Sequence, residues 1–236
     1  METHANHLHK APGKKFWHYF FEFLMLFLAV FCGFFAENLR ERNVEHHREK
    51  QFIASMLKDL EADTAQLHEV LKDTTRIQGI DSLLNILQLP SIKKMDVRAA
   101  YKFGKYVSNI SSIEFTRNTL TQLKSGGNMR LIRNQNVVDS LNILDNLRNH
   151  CDKQLEHNIQ MTYTAFSIGY KIFDKSFYKH PDTSASFMTS DIKLIHEYAN
   201  SISTQQGTYD NYQYMLRDYL AYCDRLIPFI KKEYNL

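Results

Sequence analysis

The chain has 236 residues, 44% of them hydrophobic and 23% charged, with 29 Lys and Arg against 26 Asp and Glu. So even a balance excludes the concentrated basic footprint that nucleic-acid binding needs. Only 8 Gly and 4 Pro occur, and Pro12, Pro90 and Pro181 fall between periodic segments, which is the pattern of an all-α chain with long, seldom broken helices.

Residues 1–15 read as a polar cytoplasmic tail. His4, His7 and His9 lie there without an acidic or Cys neighbour that would complete a metal site. Residues 16–36 then read as a transmembrane helix. The run Phe16–Phe35 has no Pro, Lys or Arg, one Glu and one Gly, and twenty residues of helix span about 30 Å, a bilayer's hydrocarbon thickness. A buried core helix is the alternative, but a helix apolar on every face belongs in lipid. Trp17 and Tyr19 sit where amphipathic rings favour the headgroup layer. The run is longer than a signal-peptide core and ends without a peptidase site. Phe31 before Cys32 rules out a lipoprotein site, so the segment reads as an uncleaved anchor.

Lys10, Lys14 and Lys15 crowd the near side without acidic company, while the far-side cations alternate with Glu37, Glu41, Glu45 and Glu49. This places the N-terminus in the cytoplasm and the bulk of the chain outside. Glu22 is the one acid in the run. A carboxylate there is costly unless protonated or partnered, and His18 lies one turn earlier on the same face. Glu22, Leu26, Ala29, Gly33 and Ala36 follow a 4-3-4-3 spacing. That spacing puts the acid and the small residues on one seam, as in membrane helices that pack on each other.

Residues 37–52 are a polar juxtamembrane stalk. His46, His47 and Glu49 have the composition of a metal site, but the alternating charges around them are those of a solvated helix. Residues 53–236 read as an extracytoplasmic helical bundle. Ile53, Leu57, Leu60, Leu67 and Leu71, with Thr64 and Thr74 in register, form a coiled-coil or bundle seam that runs on through Ile77, Ile80, Leu84 and Leu87 to Pro90. A shorter helix is expected over 96–107 with Asp96 as N-cap. Another covers 116–124 and closes at Gly126-Gly127. Asn134 caps a long helix to about Phe173, whose inward face is Val137, Leu141, Leu144, Arg148, Cys151, Leu155, Thr162, Phe166, Gly169 and Phe173. A loop over 176–190 follows, then a short helix over 191–198. The last long helix is expected over 201–234, with the stripe Ile202, Tyr209, Tyr212, Leu216, Tyr219, Cys223, Leu226 and Ile230 and a kink or end at Pro228. The expected architecture is therefore a transmembrane helix continuing into a long helix, packed with two further long helices and short connecting ones in an elongated bundle.

Outside the cytoplasm Cys151 and Cys223 would meet an oxidising environment. A bridge between them fits if the last helix starts near Ser201. If Asp191 opens one unbroken helix, they miss by about 10 residues, on the order of 15 Å.

Glu22, the apolar run and Glu37-Asn38-Leu39-Arg40-Glu41, together with Leu123-Lys124-Ser125-Gly126-Gly127 and Ile132-Arg133-Asn134, resemble a family of small bacterial membrane proteins with one N-terminal span and a helical C-terminal region. Phe21 stands where that family has Gly, and Leu39 where it has Trp. The resemblance implies a bacterial envelope protein and carries no chemistry; with the orientation read above, the chain is expected in the inner membrane. The resemblance marks Glu22 and the 125–127 turn as family features.

No His-Glu-x-x-His motif, paired Glu-x-x-His or nucleophile elbow occurs. His150, His157 and His196 stand apart, and His157-Asn158 and His196-Glu197 read as exposed helix pairs. The chain reads as a non-enzymatic membrane scaffold or interaction protein with no cofactor or metal, whose partner is a second copy or another membrane protein. The alternative is an extracytoplasmic ligand-sensing bundle working through a partner.

Overall fold

The computed structural model describes residues 13–178 and 184–236, with side chains from Phe16 onward. His4, His7, His9 and the His180-Pro181 pair lie outside the described residues. The described chain is all-α, without a β-strand; a lone antiparallel bridge joins Phe173 and Phe187. In order come α1 (Gly13–Lys72), α2 (Thr75–Leu87), α3 (Val97–Gly104), α4 (Asn118–Ser125), α5 (Gln135–Gly169) and α6 (Ile192–Tyr234), with short 3-10 turns between them. Two compact units divide the chain, Met1–Gln51 and Phe52–Leu236.

Within the first unit the side chains of α1 from Phe16 to Phe35 are nearly all solvent-facing, and the stretch is long and apolar enough to be a candidate membrane span (mean hydropathy 2.1, none of it buried). The second unit is the bundle. Ile53, Met56, Leu60 and Leu67 of α1 meet Val137, Leu141 and Leu144 of α5 and Leu216, Leu226 and Ile230 of α6 in one core. A second core joins Ile80, Leu83 and Leu87 of α2 and Tyr101 of α3 to Ile195, Tyr198 and Ile202 of α6. Each such side chain removed from water contributes about 1.5–3 kcal/mol.

The caps follow from side-chain chemistry. Asp96 accepts from the Ala99 amide at 2.9 Å and opens α3, and Asn134 accepts from the Asn136 amide at 3.0 Å and opens α5. Gly127 takes φ 63 after α4, a left-handed conformation that glycine adopts without a Cβ penalty.

Several expected boundaries move. The α1 seam does not run unbroken to Pro90, because Asp73 turns its carboxylate to the Thr75 amide (2.9 Å) and starts a new helix there. Helix α5 stops at Gly169 rather than Phe173. The short helix over 191–198 and the helix from Ser201 are a single helix, opened by Asp191 accepting from the Lys193 amide. No breaker separates them: Ser203 and Thr204 bond back to the Ala199 and Asn200 carbonyls within the helix. Pro228 sits inside α6 without ending it.

Gly79 in α2 and Gly207 in α6 form a matched pair. A Cβ at Gly79 would fall onto the Tyr106 ring, whereas one at Gly207 meets nothing within 4 Å. Ala in place of Gly inside a helix normally gains about 0.5–1 kcal/mol. Gly207→Ala should therefore raise the urea midpoint, while Gly79→Ala should lower stability by about 1–3 kcal/mol through overpacking.

Candidate functional site

Inside the bundle α1, α5 and α6 converge on a buried charge. Asp63 and Arg148 are fully buried. Arg148 Nη2 donates to Asp63 Oδ2 at 2.7 Å and its Nε donates to the Tyr219 hydroxyl at 2.9 Å. That hydroxyl donates on to Asp63 Oδ2 at 3.1 Å. The other carboxylate oxygen accepts from the Thr116 amide at 2.8 Å, and the Phe115 ring packs 4.8 Å from that of Tyr219. Burial pulls the Arg148 guanidinium down, but Tyr219 and Asp63 outweigh it and hold it above its usual value. Burial pushes the Tyr219 hydroxyl well up, so it stays a proton donor. The cluster is sealed and presents no reacting atom to a substrate. Its chemistry fixes the register of three helices and of the segment entering α4.

A second polar layer lies between the two cores. Arg76 of α2 is buried, its Nη1 donating to Gln206 Oε1 at 2.8 Å and its flat face 4.2 Å from the centre of the Tyr209 ring. Gln205 donates to the Thr162 hydroxyl at 2.5 Å and to the Val107 carbonyl at 2.8 Å. Asn158 is also buried, a correction to its reading as an exposed helix residue; its neighbour His157 is exposed. His196 is half-buried against the Leu89 carbonyl at 3.2 Å.

Outside, Arg117 bonds Asn149 and Asp152 and approaches Asp145, which also pairs with Lys124 at 2.6 Å. Arg117, Lys124 and Asp145 line a 470 Å³ surface groove with Leu120 and Thr121, and with Asp152 beside Arg117 the charges neutralise one another. In the stalk region His46 faces Glu49 (3.3 Å) while His47 pairs with Gln51 (3.1 Å), so the two imidazoles point to different partners.

At 3.6 residues per turn the spacing of Glu22, Leu26, Ala29, Gly33 and Ala36 puts them on one side of α1, and all five are exposed. Phe23, Phe27, Phe31 and Phe35 stack in a ladder with ring centres 6.3, 6.2 and 6.5 Å apart. At 3.6 residues per turn the mean directions of the two sets differ by roughly 160°. The seam and the aromatic ridge therefore occupy opposite sides of the helix.

Cys151 and Cys223 are free, buried thiols, and the structure does not bring them together. Gln154 donates to the Thr208 carbonyl and Tyr222 to the Ser140 carbonyl, which sets Cys151 opposite residue 211. Cys223 lies a further dozen residues along α6, on the order of 18 Å away. The unbroken start of α6 at Asp191 is the reason. Burial pushes both thiols up to about 12, so neither is a thiolate nucleophile at neutral pH.

No family model, curated protein or solved structure matches this chain. The motif resemblance around Glu22 and Gly126-Gly127 therefore carries no family assignment.

Proposed function

We propose that this chain is a non-catalytic scaffold held in a bacterial inner membrane by one N-terminal span, with the N-terminus cytoplasmic and the helical bundle periplasmic, and that it works by docking a second membrane helix. One observation carries the reading: an apolar stretch of α1 that is wholly unburied by the rest of the chain. Its two opposed faces supply the docking mode. The Phe23–Phe35 ladder is suited to lipid tails. The Glu22–Ala36 seam offers small residues that admit close backbone approach, with an acid that gains a hydrogen-bond partner on contact. The second helix is that of another copy or of a different membrane protein.

The test is in-cell photocrosslinking with a photoreactive residue at Ala29 or, as the opposite-face control, at Phe31. Protein adducts are expected from Ala29 and not from Phe31, and the mass of the adduct separates a second copy from a different partner. A strictly monomeric species with no adduct from Ala29 removes the docking proposal.

A further inference from the structure

The polar layer between the two cores holds more hydrogen-bonding capacity than the chain itself uses. Arg76 Nε and Nη2, both amide atoms of Asn158, and Gln205 Oε1 are buried without a partner. No ion pair among the described residues includes Arg76. Arg148 is paired directly with Asp63 and leaves only Nη1 unpartnered, whereas Arg76 bonds a neutral amide and an aromatic face directly, with Asp210 reached only through Gln206, which donates to its carboxylate at 2.9 Å. Burial lowers Arg76 from its usual value, opposed by Tyr209 and Asp210, yet arginine keeps its proton in proteins. A buried charge of this kind demands a partner.

The unused atoms are informative. Nε–H and Nη2–H lie on one edge of the planar group, the edge that receives the two oxygens of a carboxylate side by side. Asn158 belongs to the same layer: the Gln154–Thr208 and Thr162–Gln205 contacts bracket it on α5 and set it opposite 205–208 on α6. Asn158 Oδ1 and Gln205 Oε1 are acceptors and call for donors. An open groove of 340 Å³, lined among others by Ser108, Ser112, Leu155, Ile159 and Thr162, meets this layer at Thr162; Arg76, Asn158 and Gln205 lie behind its wall. Thr162 is both its wall and the hydroxyl that Gln205 bonds.

We infer that this layer is a binding site for a small soluble carboxylate carrying a hydroxyl or amino group, a hydroxy acid or an amino acid. The carboxylate sits on the Nε–Nη2 edge of Arg76. The hydroxyl or amine donates to the free acceptors of Asn158 and Gln205. The groove over Thr162 is the entrance. The site is independent of the membrane seam, and would make the bundle a sensing element as well as a scaffold.

The experiment is a thermal-unfolding titration of the full-length protein in detergent with lactate, alanine or acetate at matched ionic strength, with sodium chloride as reference. Lactate or alanine is expected to raise the midpoint by about 5 °C or more near saturation, and acetate by less. Two variants complete the test. Arg76→Met removes the charge and the fork. Asn158→Ala removes an amide with no hydrogen bond to lose, so it keeps the test decisive even should Arg76→Met fail to fold. Both are expected to abolish the rise. The proposal is overturned if neither lactate nor alanine exceeds chloride, if Asn158→Ala keeps the full rise, or if acetate matches them.

Discussion

Replacing Asp63 by alanine is expected to lower the unfolding free energy by about 3–5 kcal/mol. The substitution leaves the Arg148 guanidinium fully buried with only the Tyr219 hydroxyl beside it, and it orphans the Thr116 amide. The desolvation already suffered by Arg148 then has no Coulombic return. For a bundle of this size the loss corresponds to a fall in thermal midpoint of roughly 6–20 °C. The converse double change, Asp63→Leu with Arg148→Met, is expected to cost less than the single Asp63→Ala, because it removes both charges and leaves neither exposed to an apolar core. Urea or thermal unfolding of the two variants in detergent decides the matter. A single-variant cost below about 1 kcal/mol would show that the pair contributes nothing beyond packing.

This cluster also shows what a linear reading can reach. Arg148 and Tyr219 were both legible as inward residues, because each falls on the 3–4 register of its own helix. Asp63 was not: it lies three residues after Leu60 and four before Leu67, on the α1 seam, yet the eye passes to Thr64 in the heptad count. Periodicity assigns faces within one helix. It does not say which face meets which, so a buried pair 85 positions apart stays invisible until one of its members is recognised as an acid among leucines. The same limit hid Asn158 and Arg76, whose burial comes from partners on other elements.

Helix existence, by contrast, was readable throughout. The caps at Asp96, Asn134 and Asp191 and the turn at Gly127 are local chemistry, settled within four residues. The misplaced boundaries were also local, but turned on competition. Asp73 is both a tolerable helix residue and an N-terminal acceptor, and its bond to Thr75 starts α2. Asn200-Ser201 resembles a break, but hydroxyls that bond back to their own helix carry α6 through it. That continuity shifts the register of α6 against α5 and parts Cys151 from Cys223.

The largest effect expected of any substitution concerns the apolar stretch of α1. On an insertion scale each Phe, Leu or Val near the centre of a span contributes about −0.3 to −0.6 kcal/mol, and each Arg costs about 2.5–3.5 kcal/mol. The eight Phe, three Leu and one Val of residues 16–35 therefore sum to roughly −4 to −7 kcal/mol, of which Glu22 forfeits a part. Leu24→Arg with Leu28→Arg adds about 5–7 kcal/mol, enough to cancel that preference. Neither leucine belongs to the seam or to either core, so membrane docking and bundle packing are left as they were. Wild-type protein is expected to stay in the membrane pellet through an alkaline carbonate wash and to need detergent for release, while the double variant should appear in the wash. If the wild-type chain is recovered dispersed in a detergent-free lysate, lipid is not the surroundings of this helix, and the scaffold must be sought in a soluble assembly that covers it.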